Sequence, residues 1–274
     1  MSDLIKSKEA LIDIGVNLTH RSFEKTLVST VNRAKDANIS KLIITGISEY
    51  DTIKGIDICK DLSENFPNMI YTTCGIHPHH AKEYNSETFN NLKSIASNKS
   101  VVAIGETGLD FNRNISSPKE QEIAFEGQLQ LAADLGLPVF LHERDAHKRQ
   151  LEILSTYREN LKSAVIHCFT GTKEALFNYL DLDLYIGITG WICDERRGND
   201  LKKIVNNIPI NRLMVETDAP YLLPSIIKNT SKNRINEPAF LPLVVKEIAD
   251  HRIESFIEIA KKTTANSTQF FNLI

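Results

Sequence analysis

Residues 101–142 read VVAIGETGLDFNRNISSPKEQEIAFEGQLQLAADLGLPVFLH. The segment opens on an unbroken apolar run, VVAIG at 101–105, and closes on another, PVFLH at 138–142. Between them, residues 118–135 carry Ile123, Phe125, Leu129, Ala132 and Ala133 on one helical face. Ser117 stands ready to cap that helix, Pro118 occupies its first position and Gly136 stops it. Short, continuous apolar runs suit strands buried on both faces, as in a parallel sheet. The segment therefore reads as strand, helix, strand.

The same alternation extends outward in both directions. Further strand-like runs lie at 11–16, 41–46, 70–74, 164–167, 184–188 and 212–216. Amphipathic stretches separate them, such as DAHKRQLEILSTYREN at 145–160. Strand then helix, about eight times over, predicts an α/β fold: a single-domain (β/α)8 TIM barrel over 11–274, with a flexible N-terminal extension at 1–10. An open doubly wound sheet is the competing architecture. Against it, no G-x-G-x-x-G follows the first strand and no phosphate loop of the G-x-x-x-x-G-K-[ST] type is present. Residues 221–238, rich in Pro, Asn, Ser and Lys, read as a long loop after the last strand.

Composition narrows the setting. No run approaches the roughly 18–20 apolar residues that span a bilayer, and the polar start MSDLIKSKEA has no apolar signal core. Cys59, Cys74, Cys168 and Cys193 form no C-x-x-C pair, so they read as reduced thiols in or near the core. These features predict a cytoplasmic, membrane-free protein. The net charge of -3 offers no general attraction for polyanions, so any nucleic-acid contact must come from a local basic patch.

Chemistry-bearing residues follow the strands. GIHPHH after the third brings His77, His79 and His80; Glu106 follows the fourth; His142 and His167 end the fifth and sixth; ETDAPY after the eighth brings Glu216 and Asp218. The first strand contains Asp13. In a barrel, all C-terminal strand ends meet on one face, where catalytic residues sit. One histidine at a strand end is more often a hydrogen-bonded structural residue. Glu106, His142, His167 and Asp218 together point to a divalent metal, held singly or as a pair bridged by Glu106. No G-x-S-x-G elbow offers a serine nucleophile, which leaves a metal-activated water. His79 and His80 read as solvent-facing or supporting residues.

The segments DIGVNLT, GIHPHH, AIGETGLDFNRN, PVFLHERDAH, HCFTG, YIGITGWICDERRG and ETDAPYLLP resemble the TatD family of metal-dependent deoxyribonucleases. The resemblance runs in order from residue 11 to about residue 238. It implies a TIM-barrel hydrolase of the amidohydrolase-like superfamily acting as a 3′–5′ exonuclease, preferring single-stranded DNA, with RNA as a further substrate and a role in DNA repair or degradation. It implies Mg²⁺ as the cofactor, with Mn²⁺ or Zn²⁺ as substitutes, held by Glu106, His142, His167 and Asp218. Most of the family opens with D-x-H-x-H, whose histidines hold one metal. Here Gly15 and Asn17 occupy those positions, a pattern that a branch of the family shares. One firm metal site is therefore expected, and a second, weak one would draw on Asp13 and Asn17 beside Glu106 and Asp218.

On this reading Asp218 deprotonates the attacking water, and His77 contacts the phosphate or protonates the leaving oxygen. Arg113, Arg144, Arg196 and Arg197 supply the basic patch, the alternative for DERR at 194–197 being a salt-bridge cluster on a solvated loop. Trp191, Phe111 and Tyr221 either stack on unpaired bases or pack the barrel rim. The expected protein is a monomer. The same site would also suit a D-aminoacyl-tRNA deacylase, since activated water attacks carbonyl esters too.

Overall fold

A computed structural model of the chain describes residues 6–230 and 234–273. Eight strands form one sheet: β1 Leu11–Val16, β2 Ile39–Ile44, β3 Ile70–Cys74, β4 Val101–Asp110, β5 Val139–Arg144, β6 Ala164–Ile166, β7 Tyr185–Ile188 and β8 Leu213–Val215. Each pairs in parallel with the next in sequence. A parallel bridge between Val16 and Ala219, with Asn17 N–H donating to Ala219 O and Asp218 N–H to Gly15 O, both at 2.8 Å, joins the two edges. The sheet is a TIM barrel, with the open doubly wound alternative excluded.

Helices cross over between strands: α1 Leu27–Asp36, α2 Glu49–Asp61, α3 Ser86–Ile95, α4 Pro118–Leu135, α5 His147–Tyr157, α6 Lys173–Asp181 and α7 Asn199–Ile204. After β8 come α8 Ser225–Thr230, α9 Leu241–Ala249 and α10 Phe256–Phe271. Most of the buried apolar side chains pack between strands and helices. A second cluster, including Ile12, Ile14, Ile43, Phe140, Val165 and Met214, fills the barrel interior. Phe270, Phe271 and Leu273 join it from the end of α10, and Phe270 sets its ring edge-to-face on Tyr185, the first residue of β7. The barrel is thus plugged at its N-terminal end.

The helix at 118–135 forms as the sequence predicts. Ser117 and Glu120 close a capping box, and Gly136 caps the C-terminus in the left-handed region at φ 63°. Its buried face differs from expectation. Ile123 is 53% exposed, while Gln121 and Gln128 are buried beside Phe125 and Leu129. The long loop read after the last strand contains the short helix α8, and residues 231–233 of it lie outside the described residues, as do residues 1–5 of the expected N-terminal extension. Within that extension Ser7 is buried, and Asn38 donates to its carbonyl at 3.2 Å.

Candidate metal centre and nucleic-acid interface

β4 delivers the central carboxylate through an irregularity. Ile104 pairs with Val139 and Thr107 with Leu141, so Gly105 and Glu106 stand opposite Phe140 alone. A bulge of this kind re-aims a side chain. Gly105 and Gly108 both sit at φ 137°, and a Cβ on either would overlap a backbone carbonyl of β5, Phe140 O or His142 O. Only glycine tolerates that approach and that dihedral. Glu106 N–H reaches past β3 to Gly46 O, just beyond β2, at 2.7 Å.

Three imidazole nitrogens converge on Glu106 Oε1: His142 Nδ1 at 2.8 Å, His167 Nε2 at 2.8 Å and His77 Nε2 at 3.3 Å. His77, Glu106 and His142 form a cluster able to hold a metal ion, their ligand atoms all within 4.8 Å of one another. Several histidine nitrogens cannot all donate protons comfortably to one oxygen, whereas one divalent cation satisfies every lone pair present, so the donor set fits such an ion. The sequence reading assigned His77 to substrate; the fold places it at ligand distance.

The electrostatics agree with that fit. Burial works against charge on Glu106, yet His167, His77 and His142 hold its carboxyl well below the usual range. Burial also opposes charge on His167 and His142, but Glu106 and their other acidic partners raise both rings. Burial dominates at His77, whose ring is pushed down to about 4, so it is neutral near pH 7. Burial, reinforced by Glu216 and Glu106, pushes Asp218 up to about 7.

Around this centre stand supporting contacts. Asp110 Oδ2 meets His79 Nε2 at 2.7 Å and lies 3.6 Å from His142 Nε2, while its Oδ1 accepts from Asn112 N–H and Arg113 N–H at 3.1 and 2.9 Å. His79, read from sequence as solvent-facing or supporting, takes the supporting place in an Asp110–His142 buttress. Gln121 clamps the end of β4 from α4, accepting from Asp110 N–H at 2.8 Å and donating to Asp110 O at 3.1 Å. Gln128 does the same for Ile76, beside His77, at 2.8 and 3.1 Å. Sequence reading missed both, though two glutamines two turns apart on an apolar stripe were a visible signal.

Asp218 sits in the left-handed region at φ 53°, which aspartate tolerates, and accepts from Asn17 Nδ2 at 2.9 Å. Asn17 therefore turns its amide donor, not its oxygen, toward Asp218. Asp13 is fully buried and does not line the cavity. It accepts from Thr217 N–H at 2.9 Å and Thr217 Oγ1 at 2.5 Å, and burial pushes its carboxyl up to about 8.

The centre lies at the bottom of a cavity of about 610 Å³ at the C-terminal mouth of the barrel. Arg113, Arg144, Arg197, Trp191 and Tyr221 line it; Arg196 and Phe111 do not. Arg197 stacks its guanidinium 4.3 Å from the Trp191 ring centroid and pairs with Asp194 at 3.0 Å. Asp194 Oδ1 also accepts from the backbone N–H of Arg196 and Arg197. The DERR segment is thus both a local salt-bridge cluster and, through Arg197, part of the cavity wall. Among the described residues no helix is long and apolar enough to cross a membrane.

A closed parallel barrel that gathers imidazoles and carboxylates at its C-terminal mouth has the architecture of a TIM-barrel enzyme, with a site suited to metal-assisted hydrolysis. The sequence model of the TatD related DNase family matches residues 12–272, and the chain belongs to that family. It is 46% identical over 263 residues to the 3′-5′ ssDNA/RNA exonuclease TatD of Erwinia tasmaniensis, covering 96% of this chain and 100% of the relative. It is 45% identical over 264 residues to the protein of the same name in Yersinia pseudotuberculosis, again covering 96% and 100%. The TatD homologue YjjV of Escherichia coli K12 superposes with a TM-score of 0.85 at 25% identity, covering 99% of this chain and 100% of that one.

Proposed function

We propose that this chain is a metal-dependent 3′–5′ exonuclease that hydrolyses phosphodiester bonds of single-stranded DNA and RNA, with Mg²⁺ as its working ion. The observation that carries the reading is the convergence of three imidazole nitrogens on Glu106 Oε1 beneath a cavity walled by Arg113, Arg144 and Arg197. The activity for which the Erwinia and Yersinia relatives are named supports the polarity and the substrate, and favours a phosphodiester over the aminoacyl ester of a tRNA deacylase.

Glu106, His77, His142 and His167 would hold the ion, with Asp218 beside them. A divalent ion there supplies Lewis acidity to the phosphoryl group and lowers the pKa of water. Asp218 takes the proton from the attacking water, since a carboxylate beside both the ion and the water can orient and deprotonate it. Asn17 orients that carboxyl. His77 is better suited to the ion than to the leaving oxygen, because a ring held near 4 carries no excess proton to give. Arg113, Arg144 and Arg197 meet the phosphates, and Trp191 and Tyr221 stack on unpaired bases, which selects single strands. One metal site suffices, because Asn17 presents a donor to Asp218 and Asp13 is committed to Thr217. Four unpaired cysteines suit the reducing cytoplasm, and one chain supplies His77, Glu106, His142, His167 and Asp218 to the cavity, as a monomer requires.

The test uses oligonucleotides labelled at either end. With Mg²⁺ or Mn²⁺, single strands shorten from the 3′ end, and a chelator stops the reaction. Glu106→Ala loses more than the roughly 100-fold typical of the harshest outer-shell changes. Release from the 5′ end, or an undiminished rate in Glu106→Ala, would overturn the reading.

A further inference from the structure

Glu216 belongs to no role assigned so far, yet it is a fully buried carboxylate directly beneath the metal centre. It leaves the end of β8 and lies across the barrel interior. Its Oε2 is 3.3 Å from His167 Nδ1, and its Oε1 accepts from Cys168 N–H at 2.5 Å. A buried carboxylate without partners is costly, so these contacts are what keep it there.

Two glycines make the room. A Cβ on Gly15 of β1 would overlap Glu216 Oε2, and a Cβ on Gly187 of β7 would come within 2.7 Å of Glu216 Oε1. Neither glycine has a left-handed backbone, so space and not conformation is what each provides. The carboxylate is therefore lodged in a slot between two side-chain-free positions on strands that flank β8. Beside it, the Phe140 ring lies 4.8 Å from the His167 ring and confines the imidazole from another side.

We propose that Glu216 is a positioning residue of the metal centre: seated in the Gly15–Gly187 slot, it accepts the Nδ1 proton of His167 and thereby fixes the Nε2 of that ring toward Glu106 and the ion. Which nitrogen of a ligating histidine faces a metal is set by the bond its other nitrogen makes. The slot also means that position 15 cannot carry a side chain while Glu216 keeps this contact. The inference rests on the reading of Glu106 and the histidines as a metal centre.

The experiment compares the full-length protein with Glu216→Gln, Gly15→Ala and the double variant. Glutamine keeps the shape but supplies a single acceptor oxygen for two donors. Mn²⁺ affinity is measured by titration, and the Nδ1 proton of His167 is followed by NMR in the metal-free protein. Each single variant is expected to weaken Mn²⁺ binding about 10–100-fold and to shift or lose the ring-proton signal. The double variant is expected to lose no more than the worse single one, because both act on one contact. A folded Glu216→Gln with wild-type affinity and ring signal would overturn the proposal, as would additive losses in the double variant. If Gly15→Ala does not fold, Gly187→Ala tests the slot from its other wall. Failure of the wild-type protein to bind Mn²⁺ would remove the metal reading instead, while the ring proton would still decide the Glu216 contact.

Discussion

At the residue scale, the centre works by setting protons against a cation. Asp218 holds its proton up to about 7 in the metal-free fold, against an ordinary value of 3.8. The folded state therefore binds this proton more tightly than the unfolded chain does. Its contribution to stability is complete below the ordinary carboxylate value and is lost as pH rises through about 7. An ion that contacts the carboxylate must displace that proton, so Mn²⁺ affinity rises as pH rises through the same region. Titrations in buffers of different ionisation heat should show proton release on binding, reduced in Asp218→Asn. An affinity that stays flat between about pH 6 and 8 would sink the assignment of Asp218 to the ion. Little of this was legible in sequence: Asp218 was identifiable as a ligand candidate, but its proton depends on burial beside Glu216 and Glu106.

At the element scale, α4 supports the site as well as the core. Gln121 meets both backbone groups of Asp110 and also Ser116 O, the last at 2.8 Å. Gln121→Ala strands these buried groups, at roughly 1–3 kcal/mol for each one left without a partner. Chemical denaturation should show a lower midpoint with an unchanged slope, and Mn²⁺ affinity should fall as the end of β4 loosens. On the same helix, Phe125→Ala should cost about 3–5 kcal/mol by opening a cavity. Ile123→Gln should stay within about 0.5 kcal/mol, because that side chain is half in solvent. Equal costs at 123 and 125 would contradict this packing. The helix itself was fully readable from its capping signals. Its buried face was readable only in part: Phe125, Leu129 and Ala132 are buried as expected, but Ile123 is not, and the two glutamines look polar until the backbone they serve is in place.

At the scale of the whole molecule, a net charge of -3 offers a polyanion no general attraction, so on the proposed reading the strand meets the arginines of the cavity wall. Three arginines line that wall, which predicts a slope of log affinity against log salt of about -2 for single strands. Fluorescence anisotropy on the Glu106→Ala protein measures it without cleavage. Arg197→Ala should flatten the slope by roughly 0.7, whereas Arg196→Ala, outside the cavity, should leave it unchanged. Equal effects of the two substitutions would place the strand elsewhere.

The barrel and the central place of Glu106 were legible in the sequence alone, because parallel strands buried on both faces leave continuous apolar runs; the strand ends were not, since β4 runs on through Glu106 to Asp110 and β5 to Arg144. The resemblance to the TatD family rested on the same segments and held across residues 12–272. Only the tertiary structure decided which nitrogens meet Glu106, that His142 is the histidine Asp110 and His79 stand against, and that Glu216 fills the space beside Gly15. Those relations join residues far apart in the chain, such as Asn17 with Asp218 and His167 with Glu216. The reason is geometric: strand period tells which residues reach the mouth of a barrel, but closure of the sheet and the bulge at Glu106 fix the distances between them.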